Sequence, residues 1–183
     1  MASTRFDVLG IGNAIVDVIA RTDDDFLARQ NMHKGTMQLI DEPRAASIYD
    51  AMGPAVEVSG GSAANTIVGV ASLGGRAAFV GKVKDDVLGK AFAHDIRAAR
   101  VTFDTKPASD GPSTARCYIM VTPDGERTMN TYLGACQGLT VGDVDAKAVE
   151  SADIIYLEGY LWDPPAAKEA FRKASLAAGG SQR

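Results

Sequence analysis

Val58-Ser59-Gly60-Gly61-Ser62-Ala63-Ala64-Asn65 is the stretch on which the reading of this chain depends. An apolar run stops against two glycines, and a helix of small residues begins. With no Cβ, Gly60 and Gly61 let the backbone turn sharply and approach a ligand closely. Ser62 is expected to accept from the orphan N–H groups of the new helix, and Asn65, within its first turn, to project a carboxamide beside the strand end. The helix from Ala63 to Leu73 has almost no polar side chain after Thr66, so it should be buried over most of its circumference and hold Asn65 in place.

Working outward, Ala55 to Ser59, this helix and the run Ala77 to Val80 read as one β-α-β unit, with Gly74-Gly75 ending the helix. Phe6 to Ile11 is an apolar run closed by Gly10 and Gly12, consistent with a first buried parallel strand. The β-branched Ile15, Val16, Val18 and Ile19 extend the strand signal. Helices are expected over Asp23 to Gln30, Asp41 to Met52, Asp85 to Ala99 and Asp143 to Ala152, and strands over Gly35 to Ile40, Val101 to Thr105 and Ile154 to Leu157. Thr114 to Val121 and Glu126 to Leu133 flank the turn Thr122-Pro123-Asp124-Gly125 and form an antiparallel hairpin. A hairpin set among β-α units is an excursion from the main sheet. Segments 13–40 and 113–134 together make a small lid. Pro165 opens a last helix, Ala166 to Ala178, for which Gly179-Gly180 supply the cap. The alternation implies a further strand after Ala178, whereas the sequence stops at Arg183. In an open parallel sheet, ligand sites form at the carboxyl ends of strands. The turns Gly10 to Asn13, Ser59 to Asn65 and Glu158 to Asp163 can therefore converge on one cleft.

Composition excludes several classes. A net charge of −4 argues against a nucleic-acid partner, which needs a clustered Lys/Arg surface, although a local basic patch stays open. Cys117 and Cys136 lack metal-ligand or redox-motif spacing and read as buried free thiols. The first residues carry no secretory pattern and no stretch of about 18 apolar residues occurs, so the chain reads as cytoplasmic with no membrane partner.

Motifs narrow the field further. Gly10-Ile11-Gly12-Asn13-Ala14-Ile15 fails as a dinucleotide fingerprint because the third small residue is replaced by Ile15. Gly60-Gly61 fails as a Walker loop because no GK[ST] follows. Tight turns in an α/β sheet account for these glycines equally well in isolation. Asp17, between Val16 and Val18, is either an exposed edge-strand residue or a carboxylate aimed into a cleft. An ionised carboxylate only accepts, so it can receive two neighbouring hydroxyl protons, as a vicinal diol on a sugar would offer. Asn13 and Asn65 can complete such a set. Arg127 forms either a surface pair with Glu126 or a phosphate contact. His33 and His94 show no triad or metal pattern. Trp162 is either core packing or a stacking surface. Asp85-Asp86 begins a helix, where negative charge suits the dipole.

Taken together, Gly12-Asn13-Ala14-Ile15-Val16-Asp17, Gly60-Gly61-Ser62-Ala63-Ala64-Asn65 with Leu73-Gly74-Gly75, Gly81-Lys82-Val83-Lys84-Asp85-Asp86 with Gly89, and Gly125-Glu126-Arg127-Thr128 resemble the ribokinase-like (PfkB) family of carbohydrate kinases. The Asn/Asp pair and Leu133-Gly134-Ala135 look most like its adenosine kinase branch. The resemblance spans Phe6 to about Ala174. It implies a three-layer α/β/α domain with a β-sheet lid and MgATP-dependent phosphorylation of a hydroxymethyl group on a sugar or nucleoside. It implies further that Asp17 binds ribose hydroxyls, that Gly61 and Asn65 add sugar contacts, that Asn13 lines the same pocket and that Arg127 approaches the transferred phosphate.

The family's general base is an aspartate in a DTxGAGD-like segment near the C-terminus, and no such segment occurs in these 183 residues. The chain is thus expected to be the N-terminal part of a kinase, with the sugar pocket, without the catalytic base and with the ATP site largely absent. The alternatives are a non-catalytic ribonucleoside- or sugar-binding module and one half of a split enzyme. An exposed apolar edge at Ile154 to Leu157, open to self-association, is also expected.

Overall fold

The computed structural model describes residues 5–179. In chain order the elements are β1 (Phe6–Ile11), β2 (Ile15–Arg21), α1 (Asp24–Arg29), β3 (Met37–Leu39), α2 (Glu42–Ala51), β4 (Ala55–Gly60), α3 (Ser62–Ser72), β5 (Ala77–Val80), α4 (Val87–Ala98), β6 (Val101–Thr102), β7 (Ala115–Val121), β8 (Arg127–Tyr132), α5 (Ala146–Glu150), β9 (Ala152–Leu157) and α6 (Pro165–Gly179). Gly180, expected to cap the last helix, lies outside the described residues.

The strands form two sheets. The first is parallel, in the order β6-β5-β1-β9. Because side chains alternate across a strand, Leu9, Ile11 and Ala78 face one side, where they meet Val149 of α5 and Ala167, Ala170 and Phe171 of α6. Val8, Ala77 and Phe79 face the other, against Ile67 and Ala71 of α3 and Phe92 and Ile96 of α4. This is the three-layer α/β/α arrangement. The rings of Phe79, Phe92 and Phe103 knit that side, with centroids 5.3 to 6.1 Å apart. In the described residues β9 has only β1 as a neighbour, and Ile154 and Tyr156 stand exposed along it, as the sequence led us to expect.

The second sheet runs β3-β8-β7-β2-β4. The hairpin of β7 and β8 turns at Gly125, whose N–H donates to the carbonyl of Thr122 at 2.9 Å. One face carries Val16, Val18, Ala20, Tyr118, Met120 and Tyr132 into the main core. The other holds Ile15, Cys117 and Ile119 in a separate cluster.

Two sequence expectations need correcting. Ala55 to Ser59 does not lie in the main sheet: β4 pairs antiparallel with β2. Residues 55–58 are all exposed, Val56 and Val58 included, as befits an edge strand paired only with β2 among the described residues and not a parallel strand buried on both faces. The helix expected over Asp143 to Ala152 is only α5, preceded by a 3-10 turn at Val141–Asp143. The Asp143 and Asp145 carboxylates accept from the backbone N–H groups of Thr140 and Lys147, both at 2.9 Å, and break the segment into two short capped turns.

Where a cap aspartate precedes an apolar period, the expectation holds. Asp23 and Asp41 accept from Phe26 and Arg44 at 2.7 and 2.9 Å. Asp86 does more. It accepts from the Gly89 N–H at 2.8 Å, the Thr114 N–H at 2.9 Å and the Thr114 hydroxyl at 2.7 Å, tying the start of α4 to the start of β7. Burial pushes its carboxyl pKa up, but the Thr114 and Gly89 hydrogen bonds and the Arg116 charge outweigh this and leave it below the usual value. The folded state thus favours the ionised form, and its contribution is present above the unfolded carboxylate pKa and lost as pH falls. Replacing Asp86 by Ala is expected to cost about 1–3 kcal/mol in urea denaturation at pH 7. The gap from the parent protein should narrow as the pH drops below 4, the usual carboxylate range.

Candidate functional site

The chain passes between the two sheets at two neighbouring places. It leaves β1 for β2 through Gly12-Asn13-Ala14, and it leaves β4 for α3 through Gly60-Gly61. These connections pack closely enough to require their glycines. Gly61 has φ +97°, and a Cβ there would lie 2.5 Å from the carbonyl oxygen of Asn13. A Cβ on Gly12 would lie 2.6 Å from that of Ala63.

Glu158, directly after β9, locks the two connections together. It is buried, at 3 % exposure. One carboxylate oxygen accepts from the Asn13 N–H at 2.6 Å and the other from the Ala63 N–H at 3.0 Å, while its own N–H donates to the Ile11 carbonyl at 3.0 Å. This corrects the expected role of Ser62, which is exposed and is the first residue of α3, not its cap. Gly61 holds the cap position and offers no side chain. The carboxylate satisfying α3 comes from a residue 95 positions away, and its charge sits at the positive end of the helix dipole. Sequence reasoning placed Glu158 in a turn of interest without assigning it a role.

Asn13 is buried beside this junction, and its side-chain oxygen accepts from the Cys136 thiol at 2.9 Å. The Leu133 carbonyl, 2.7 Å from the same sulfur, shares that single proton. Burial, with the nearby charge of Glu158, pushes the Cys136 thiol up, so it stays a neutral donor. Burial likewise raises Cys117 to about 11. Both cysteines are buried free thiols, as expected.

Asp17 lies in the middle of β2, between β7 and β4, so the edge-strand alternative is removed. Its carboxylate occupies the space over Gly60 that any side chain there would fill. No hydrogen bond or ion pair reaches it from the described residues. It shares its face of the sheet with the apolar Ile15 and Ile19 and, in register beside it, Cys117. Burial there raises its pKa to about 6. Asn65 sits in the first turn of α3 with its N–H on the Gly61 carbonyl at 2.9 Å and its side chain exposed. Asn13, Asp17, Gly61 and Asn65 therefore gather at one corner. The corner combines an unspent carboxylate with the exposed carboxamide of Asn65, acceptors suited to hydroxyl groups, while the buried Asn13 oxygen is already engaged by Cys136.

Arg127 stands apart. It opens β8 opposite Val121, four positions from Thr131, which pairs with Cys117 beside Asp17. That is about 13 Å along the strand, although alternation puts Arg127 and Asp17 on the same face. Its side chain is exposed, and no ion pair with Glu126 forms in the described residues. Trp162 is half-exposed, 5.9 Å from the Phe171 ring with the Lys168 ammonium 5.8 Å from its centroid, part packing and part open surface. His33 and His94 are exposed, and among the described residues no group of three or more metal-capable side chains gathers.

Comparison with known proteins gives a consistent result. The sequence pattern of the pfkB family carbohydrate kinases matches residues 47–182. The chain is similar in structure to an adenosine kinase from Sinorhizobium meliloti, at 59 % identity and a TM-score of 0.91 over 98 % of this chain and 55 % of that one. A probable sugar kinase protein from Rhizobium etli CFN 42 is similar at 56 % identity and a TM-score of 0.92 over the same shares. Fructokinase-1 of Oryza sativa subsp. japonica is 33 % identical over 125 residues, 67 % of this chain and 39 % of its own length. The chain thus spans about half the length of these solved relatives and less of the curated one.

Glu158→Gln keeps one acceptor but turns an amide donor toward a backbone N–H. It is expected to cost about 1–3 kcal/mol by urea denaturation. Hydrogen exchange should quicken first at whichever of the Asn13 and Ala63 amides faces the new NH2 group and so loses its acceptor.

Proposed function

This chain belongs to the pfkB family of carbohydrate kinases, and from that premise we propose that the corner at Asp17, Asn13, Gly61 and Asn65 binds the vicinal hydroxyls of a ribosyl substrate. The substrate is adenosine or a close ribonucleoside, and the site is the acceptor end of an ATP-dependent kinase. The observation that carries this reading is Asp17: a carboxylate held without a partner over Gly60 in apolar surroundings. Such a group is costly to keep unless something outside the protein uses it. The high identity to an adenosine kinase favours a nucleoside over the fructose suggested by the more distant relative.

MgATP, implied by the family, does not fit the described residues. The Ala63 N–H at the start of α3, the place an anion would use, is taken by Glu158, and among the described residues no group of three or more metal-capable side chains gathers. No DTxGAGD-like segment supplies a base. We therefore assign no transfer step to this chain and propose that it is the N-terminal part of the kinase, nearly inert by itself. The second sheet, built from segments 13–40 and 113–134 with β4 added, is proposed as a lid. Arg127 at its far end is the proposed phosphate-proximal residue. The exposed side chains of Ile154, Tyr156 and Leu157 on the edge strand β9 favour a second reading, in which another polypeptide or another copy of this one completes the sheet. Two buried reduced thiols fit a cytoplasmic protein.

Calorimetry with adenosine, ribose and NAD as ligands tests the site, adenosine being the expected binder. Asp17→Asn should weaken adenosine about a hundredfold by removing a charged acceptor of two hydroxyls. Unchanged affinity would sink the assignment. The pH dependence has a definite sign. Affinity should rise with pH through about 6, as Asp17 ionises. Stability should move the opposite way: the native state binds the extra proton, so stability falls between the unfolded carboxylate pKa and about 6 and is flat above. Asp17→Asn should remove that slope and gain on the order of 1 kcal/mol at pH 7 in thermal melts.

A further inference from the structure

A second concavity lies on the face of the second sheet opposite Asp17. It has a volume of about 470 Å³ and is lined by Val18, Tyr49, Asp50, Glu57, Val87, Leu88, Arg116 and Tyr118. That size is typical of a small-molecule site. Its floor is apolar, from Val18 and Leu88. Two tyrosines, Tyr49 and Tyr118, stand with ring centroids 6.3 Å apart at 42°. Tyr49 and Val87 leave over half of their surface uncovered at the mouth.

The charges decide what such a cavity takes. Arg116 is committed within the protein. Its guanidinium donates to the Tyr118 hydroxyl at 3.0 Å and the Ser113 hydroxyl at 2.8 Å and lies 4.9 Å from the Tyr132 ring centroid. Asp50 and Glu57 form no hydrogen bond or ion pair with the described residues. The partners of Arg116 are neutral hydroxyls and leave its charge in place, so the lining sets two carboxylates against one guanidinium, a net negative charge that disfavours an anion. A neutral apolar occupant would cover two carboxylates without giving them a donor, at a cost in desolvation. A bare divalent cation would find apolar and aromatic walls where it needs six or more oxygens.

We propose that this cavity binds a small organic ammonium ion with an apolar body. The ammonium sits with Glu57 and Asp50, and the apolar body lies against Tyr49, Val87 and Leu88.

The test titrates the protein, followed by amide NMR shifts, with 2-phenylethylammonium chloride, with neutral 2-phenylethanol and with MgCl2. Saturable shifts at α2, Glu57 and the start of α4, from the ammonium at least about tenfold tighter than from the alcohol, are expected. Glu57→Gln, and separately the helix-surface variant Asp50→Asn, should each weaken the ammonium by about tenfold while leaving adenosine titrations and the melting temperature unchanged. Equal binding of alcohol and ammonium, tighter binding of magnesium, shifts centred on Asp17 and Asn65, or both variants at parental affinity would each overturn the proposal. None of these bears on the ribosyl assignment, which stands on the other face of the sheet.

Discussion

The bonds from two backbone amides, those of Asn13 and Ala63, to one buried carboxylate hold this structure in register. Each amide begins a connection between the sheets, and each would be an orphan donor in a dry interior without Glu158. A serine at the helix start could satisfy only its own helix. Glu158 satisfies both connections at once, and through its own N–H on Ile11 it fixes β9 to β1 at the same level. The close packing of Gly12 on Ala63 and of Gly61 on Asn13 follows, because the two connections are drawn to a common acceptor.

This division of labour explains what the sequence discloses and what it conceals. The helix starts at Asp23, Asp41 and Asp86 were legible because each cap bond reaches only three residues on, where spacing is the whole of the geometry; the Asp86 bonds to Thr114, 28 residues away, were not. The hairpin was legible because Thr122-Pro123-Asp124-Gly125 is self-contained. The gathering of Asn13, Asp17, Gly61 and Asn65 could be anticipated from strand ends and glycines. The partners of Glu158, 145 and 95 residues away, could not, since no local pattern records which strand ends will neighbour one another. The sheet to which β4 belongs was hidden for a related reason. The alternation of β4 names no neighbour, and with Val56 and Val58 both exposed it does not even mark the buried face.

The two carboxylates at the corner are also energetically opposite. Glu158 is buried and matched by donors, so it serves as structure. Asp17 is unmatched, and its raised pKa records that the fold gains nothing from its charge. A fold that retains a destabilising group in its second strand, with a glycine cleared beside it, sets stability against ligand recognition. The neutral Cys136 thiol on Asn13 fits the same pattern, since it fixes the carboxamide without adding charge.

The sign of the charge at this corner constrains the rest of the chemistry. Two carboxylates near one helix start favour hydroxyl donors and repel phosphate, and the α3 dipole, which would otherwise attract an anion, is already opposed by Glu158. On the proposed reading, a site built this way selects an uncharged alcohol. A phosphoryl donor must then be held by a separate set of donors and cations, on elements that reach the alcohol from another direction. Phosphoryl transfer depends on placing two partners in line, so separate anchoring of acceptor and donor is chemically sufficient. The proposed acceptor side draws on Asp17 of β2, one turn of α3, the crossing at Asn13 and the end of β9, elements tied to one another by the Glu158 bonds and the pairing of β2 with β4.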